Sequence, residues 1–376
     1  MNQSSIGLRS GSGAVAAVVL LLGLTGELPL SAVQNVAAAD GDGKPLQATA
    51  GHVFQTGGRM DSFAFDRDGK LLVTAGWMGA DDDQNAWKAG TYPGDLHLFD
   101  VADGKEIVHF EEECGALFDV AFSPDGESLA TAGRVLGSPN QGEVRIWSIA
   151  LRKTLITIRG QNGWSLAISY SPDGMFLATG GFDRMVHVWD ARTGKELKAL
   201  AHPSTPSSLS FSADGKTLVA GCRGGTVLLW DVPTWKERSV VEDNKTFLLG
   251  VALSPDGRLL ATGGAERDAD AGGRQTGIVR TWDLETGKER RTWRVDGLVS
   301  SVALSPDGRF IAAPHNGASL WNVENGDEVI AVPRGGSSSG DRIRFSPDRK
   351  TLAIGAFRRV QLFDVTALWE ERKPPD

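Results

Sequence analysis

A short turn signal, Ser-Pro-Asp-Gly in its fullest form, recurs at 66–69, 123–126, 171–174, 212–215, 254–257, 305–308 and 346–349. A second signal, an aromatic followed by a short polar residue, keeps step with it. Its copies are Phe99-Asp100, Trp147-Ser148, Trp189-Asp190, Trp230-Asp231, Trp282-Asp283, Trp321-Asn322 and Phe363-Asp364. Successive aromatics stand 48, 42, 41, 52, 39 and 42 residues apart. A period of this length, held in phase, means one supersecondary unit built repeatedly. Such a unit is too small to bury both of its faces and is stable only against its neighbours.

The copy from Ser165 to Leu200 shows what the unit is. Leu166, Ile168 and Tyr170 alternate with Ala167 and Ser169, the two-residue period of a strand. Ser171-Pro172-Asp173-Gly174 suits a tight turn: proline presets its own φ, Asp173 can bond nearby backbone, and Gly174 tolerates positive φ. A second strand is expected from Phe176 to Thr179. Gly180-Gly181-Phe182-Asp183 turns the chain into a third, with Val186 and Val188 on one side and His187 and Trp189 on the other. Thr193-Gly194 leads into a fourth, Glu196 to Leu200. Four short antiparallel strands make one blade.

A period of about 40–45 residues with a Trp-Asp end mark resembles the WD40 repeat family, over almost everything after residue 44. The resemblance implies an all-β, seven-bladed β-propeller of four-stranded antiparallel blades. It also implies that the loops between second and third strands project on the top rim, and that the ring closes by mixing the two chain ends. Residues 43–50 match residues 194–201, a fourth strand placed before the first repeat. The last repeat lacks a good fourth strand, and Pro374-Pro375 cannot continue a ladder. The segment near 45–50 is therefore expected to supply the outer strand of the last blade and to remove an open edge; closure by 368–372 is the rival. Trp147, Trp189, Trp230, Trp282 and Trp321 are expected to pack between blades, and Asp125, Asp173, Asp214, Asp256 and Asp307 to hold turns. In good family members a His before the first strand joins a buried network with Ser/Thr, Asp and the Trp. Repeat 3 keeps Thr179, Asp183 and Trp189 but has no such His, and His52 lies at an awkward distance.

The first 39 residues differ in kind. Arg9 precedes the apolar run 14–24, and Ala37, Ala38 and Ala39 follow, the layout of a secretory signal peptide with a cleavage point after Ala39. The run is short for a membrane span. The expectation is an exported, bacterial-type member, periplasmic or extracellular, or membrane-anchored if the leader stays. The propeller domain would occupy 40–373 and a tail 374–376. The net charge of −8, without a basic block interleaved with aromatics, disfavours nucleic acid as a partner. Cys114 and Cys222 fall in non-adjacent repeats, so two packed thiols are expected rather than a disulfide.

No nucleophile elbow, zinc-protease helix motif or phosphate-cradling glycine loop occurs. The six histidines show no metal-ligand spacing, and neither catalytic residues, nor a metal, nor a cofactor is expected. Asp81, Asp82 and Asp83, and Glu266, Asp268 and Asp270, interrupt the repeats. Their oxygens suit calcium, but neither group matches a twelve-residue calcium loop, and a solvated acidic loop is the expectation. Insertions fall between second and third strands in repeats 1, 2 and 5, the position that the resemblance puts on the top rim, where loops carry specificity. The leading function is a non-catalytic protein-interaction scaffold. Its contact surface would be Trp77, Asp81, Asp82, Asp83, Trp87 and Tyr92: aromatic anchors with an acidic border suited to a basic protein or peptide. The alternative is an exported propeller hydrolase or metal-dependent enzyme using the central channel, which fold alone does not establish.

Overall fold

The computed structural model describes residues 36–39, 45–79, 88–110, 113–242, 246–266, 276–333 and 342–369. These form seven antiparallel sheets, six of four strands and one of five, following one another around a ring. Blade 3 is built from Ser165–Tyr170, Phe176–Gly181, Met185–Asp190 and Glu196–Ala201, close to the bounds expected from its alternation. Val186 and Val188 are buried and so is Trp189 on the opposite face, because both faces of a blade are covered by neighbours.

Two local devices repeat and explain the sequence period. In six turns the serine hydroxyl donates to the aspartate two residues on, as from Ser171 to Asp173 at 2.6 Å. Ser171 Oγ also accepts the Phe176 amide at 2.9 Å, while Gly174 sits at φ 71, a conformation that costs a residue with Cβ. Asp125, Asp173, Asp214 and Asp256 are held below the usual carboxylate range chiefly by these hydroxyls. At Asp307 burial works the other way, and bonds from Arg309 and Ser305 outweigh it. The second device lies at the aromatic–polar pair. Asp100, Ser148, Asp190, Asp231, Asp283, Asn322 and Asp364 each accept a backbone amide two or three residues ahead. This is the side-chain turn that short polar residues favour. The Trp–Asp pair therefore ends the third strand and starts the turn to the fourth.

Trp147, Trp189, Trp230, Trp282 and Trp321 are all buried. The indoles of Trp147, Trp189 and Trp282 donate to Thr131, Thr179 and Thr262 of the neighbouring strand at 2.9, 2.9 and 3.1 Å. In blade 3 the role expected of an upstream His is taken by Gln161, which donates to Thr179 Oγ1 at 2.7 Å. In blade 4 it is His202, whose Nε2 accepts from Trp230 at 3.3 Å. His52 is exposed and sits 3.0 Å from the Ala102 carbonyl, outside any such network.

The ring is closed by Pro45–Gln55, which pairs with Arg359–Asp364 of blade 7. The register differs from the sequence expectation: the paired positions run from Thr49 to Gln55, so residues 43–50 supply only the beginning of the outer strand. The earlier part, from Pro45 to Ala48, pairs instead with Val36–Ala39, and the expected boundary at residue 39 falls at the edge of this sheet. Phe54 is the reason for the slip. It is buried at 1% exposure in a cluster with Phe63, Leu72 and Phe99 of blade 1 and Val360 and Leu362 of blade 7, apolar area that a strand ending at residue 50 would leave in water. The rival segment begins with a single 3-10 turn, Thr366–Leu368; residues 370–376, like the apolar run 14–24, lie outside the described residues. Cys114 and Cys222 are both buried.

Candidate functional site at the rim

The innermost strands carry a bulge near their starts, between Met60 and Ser62, Leu117 and Asp119, Ser165 and Ala167, Pro206 and Ser208, and Leu248 and Gly250. A bulge re-aims the side chain beside it, and several of these reach the next blade. Ser62 donates to Asp119 at 2.6 Å, and Asp119 accepts the Ile168 amide at 3.0 Å. Ser208 and Ser301 accept the amides of Val251 and Ile343, each at 3.0 Å. These bonds run around a central channel of about 460 Å³. Its carboxylates, Asp66 and Asp119, are occupied by backbone amides. Its cations are Arg67, from the first turn of repeat 1, and Arg342 and Arg344, both from the first strand of blade 7, Arg342–Phe345. Desolvation, with the nearby charge of Arg342, lowers the Arg344 pKa to about 10.

The insertions of repeats 1 and 2 meet on the rim, where the Gly137 amide donates to the Gly90 carbonyl at 2.9 Å. Trp77 and Tyr92, expected to offer exposed area there, are each only 4% exposed. Their rings lie 4.5 Å apart, and the Trp77 indole donates to Asp61 at 2.8 Å. Burial raises the Asp61 pKa despite Arg59 and Arg342 nearby. A Cβ on Gly79 would come within 2.0 Å of the Tyr92 ring, so the loop crosses that ring at a distance only glycine permits. Trp77 and Tyr92 thus seat the insertion on the blade, since burial leaves them no area for a partner. Asp81, Asp82, Asp83 and Trp87, with Asp268 and Asp270, fall outside the described residues.

Other apolar groups stand out on the same rim. Met78, Phe182 and Phe357 are 39%, 41% and 37% exposed, and all three belong to the connections between second and third strands, in blades 1, 3 and 7. Half-buried Trp164 stacks on Phe118 at 5.3 Å and meets Phe182 edge-on at 5.4 Å. The Arg134 and Arg223 guanidiniums lie 5.2 Å from the Trp164 and Phe182 rings. Phe357 has φ 48, and its carbonyl accepts the Met60 amide at 2.7 Å; this strained turn holds the ring outward. Phe182 sits in the turn Gly180-Gly181-Phe182-Asp183, and Phe357 carries no motif of its own in the sequence. Their position in the repeat, equivalent to the insertions, was the available signal.

Comparison with known proteins agrees with the repeat reading. The model of the family "WD domain, G-beta repeat" matches residues 104–148, 152–190 and 194–231. The small ribosomal subunit protein RACK1z of Arabidopsis thaliana is 29% identical over 89 residues, 23% of this chain and 24% of that protein. The LST8 homolog of Drosophila melanogaster is 33% identical over 89 residues, 21% of this chain and 28% of that protein. Subunit I of eukaryotic translation initiation factor 3 from Phaeosphaeria nodorum is 37% identical over 59 residues, 16% of this chain and 15% of that protein. The chain spans about a quarter of the length of the first of these relatives. They correct the expectation of an exported, bacterial-type, periplasmic or extracellular protein: the relatives are eukaryotic, and two are by name components of the translation apparatus. Among the described residues no helix is long and apolar enough to cross a membrane. The fold itself is a seven-bladed propeller closed by an amino-terminal strand.

Proposed function

We propose that this chain is a non-catalytic scaffold that binds a protein or peptide through the rim formed by its second-to-third-strand connections. The observation that carries the reading is the exposure of Met78, Phe182 and Phe357 at equivalent places in three blades. Large apolar side chains gathered on one rim of a rigid ring suit a partner surface. The joined insertions of repeats 1 and 2 extend that rim, and Asp81, Asp82, Asp83 and Trp87 would add an acidic border and an aromatic anchor. The acidic run and the net charge of −8 favour a basic partner segment and disfavour nucleic acid. The relatives named for the small ribosomal subunit and for an initiation factor support a role within protein assemblies. The channel favours this reading over an enzyme, because Asp119 is held at both oxygens by Ser62 and the Val120 and Ile168 amides, and Asp66 accepts the Leu71 amide.

The test compares Trp87→Ala and Phe182→Ala with Tyr92→Ala, following thermal stability and partner capture together. The rim variants are expected to keep the melting temperature and lose capture. Tyr92→Ala, which empties a buried site, is expected to lose about 3 kcal/mol or more of stability. Full capture by both rim variants would refute the surface proposed here.

A further inference from the structure

Blade 1 gathers three side chains that the rim reading does not use. Asp95 and His97 stand two apart in the third strand, Gly94–Asp100, so the strand period puts them on one face. His109 ends the fourth strand, Glu106–His109, directly opposite His97. His97 Nε2 lies 2.8 Å from Asp95 Oδ1, and His109 Nε2 lies 3.3 Å from the same oxygen. The two rings are parallel, with centroids 4.2 Å apart and 7° between planes, so one ring must turn before both in-plane Nε2 lone pairs can meet a single ion. The potential ligand atoms of all three residues lie within 4.8 Å of one another.

The surroundings position the carboxylate and one imidazole. The other carboxylate oxygen, Asp95 Oδ2, accepts the Gly58 amide at 3.0 Å, which fixes the carboxylate and leaves Oδ1 facing the imidazoles. Glu106 Oε2 stands 3.4 Å from His97 Nδ1, where it can hold the Nδ1 proton that a metal on Nε2 requires. Asp95 and His97 are buried, while the His109 side chain is 34% exposed, so an ion has a way in. Tetrahedral bonds of 2.0–2.1 Å put ligand atoms roughly 3.3 Å apart; His109 Nε2 already stands 3.3 Å from Asp95 Oδ1, and His97 Nε2 is closer, at 2.8 Å.

The same place in other blades serves as an internal control. Two residues before the end-strand aromatic, blade 2 has Arg145, 2.7 Å from Glu143. Blade 3 has His187, between Asp183 at 2.9 Å and Glu196 at 2.6 Å. A cation between carboxylates is thus a recurring structural pair. Among the described residues, blade 1 alone adds a second imidazole on the same oxygen.

We propose that Asp95, His97 and His109 bind a divalent transition ion of the zinc class, with water in the remaining position. Two imidazoles and one carboxylate are a donor set that suits such ions better than calcium or magnesium. The site lies in the outer half of the blade, away from the channel, and its task is structural. His97 stacks on Phe99, and Phe99 meets Phe54 of the closing strand at 5.2 Å. An ion here would tie the outer hairpin of blade 1 beside the seam of the ring.

The test uses the full chain, stripped with a chelator and titrated with Zn²⁺ by calorimetry, with the visible absorption of Co²⁺ as a second readout. One ion per chain, a melting temperature raised by Zn²⁺, and a Co²⁺ band are expected. His109→Ala, at a half-exposed position, should fold as the parent does in chelator and bind more than tenfold more weakly. Glu106→Gln should weaken binding about 10–100-fold, and His187→Ala should bind as the parent does. Absence of saturable binding by the parent would overturn the proposal. So would parental affinity in His109→Ala, or equal losses in His109→Ala and His187→Ala.

Discussion

His187 shows how one residue ties the repeat's chemistry to pH. Burial works against its imidazolium, but hydrogen bonds and charge from Asp183 and Glu196 outweigh it and raise the pKa above 6.5. A group whose pKa is higher folded than unfolded stabilises the fold fully below the unfolded value. That contribution is lost as pH rises through the folded one. Urea midpoints measured from about pH 6 to about pH 9 should therefore fall by less in His187→Gln than in the parent. The turn aspartates have the opposite sign. Their lowered pKa values give stability present above the unfolded value of about 3.9 and lost as pH drops through the folded one. A steeper acid limb in the parent than in Asp173→Asn is the corresponding observation.

At the scale of the element, the closing strand matters most, because it pairs from Thr49 to Gln55 with the last blade before the chain enters blade 1. Its grip is partly ladder and partly Phe54, which touches both blades that flank the seam. Phe54→Ala is expected to cost about 3–5 kcal/mol. In a ring whose blades depend on neighbours, the loss should appear as a lower midpoint of one cooperative transition. A separate early unfolding of blade 7 in chemical denaturation, with the rest of the ring unchanged, would contradict that view.

At the scale of the whole ring, the stacked blades bury both cysteines. Cys222 is buried, and desolvation pushes its thiol pKa up to about 12; Cys114 is buried in a different blade. Both thiols are expected to resist iodoacetamide in the native protein and to react on unfolding, since the thiolate is the reactive form. Mass spectrometry of alkylated native and denatured samples checks this. Rapid native labelling of Cys222 would mean that blade 4 opens locally.

The number of blades, their four strands and the packed tryptophans were legible from the sequence, since turn chemistry and strand period are local and repeat in phase. The need for an amino-terminal strand was legible too, from the orphan match before the first repeat. Its register was not, because it is set by where Phe54 is buried, a contact with residues of two other blades. The rim was legible as a place, but not in its side chains. Whether an aromatic such as Trp77 or Phe182 faces solvent depends on what lies across from it, and Asp61 and Tyr92 cover the first. Asp95, His97 and His109 carry no linear metal motif. A hairpin brings the two histidines opposite each other, and only the tertiary structure turns both toward one oxygen of a carboxylate whose other oxygen the Gly58 amide holds, in the bend before the first strand of blade 1.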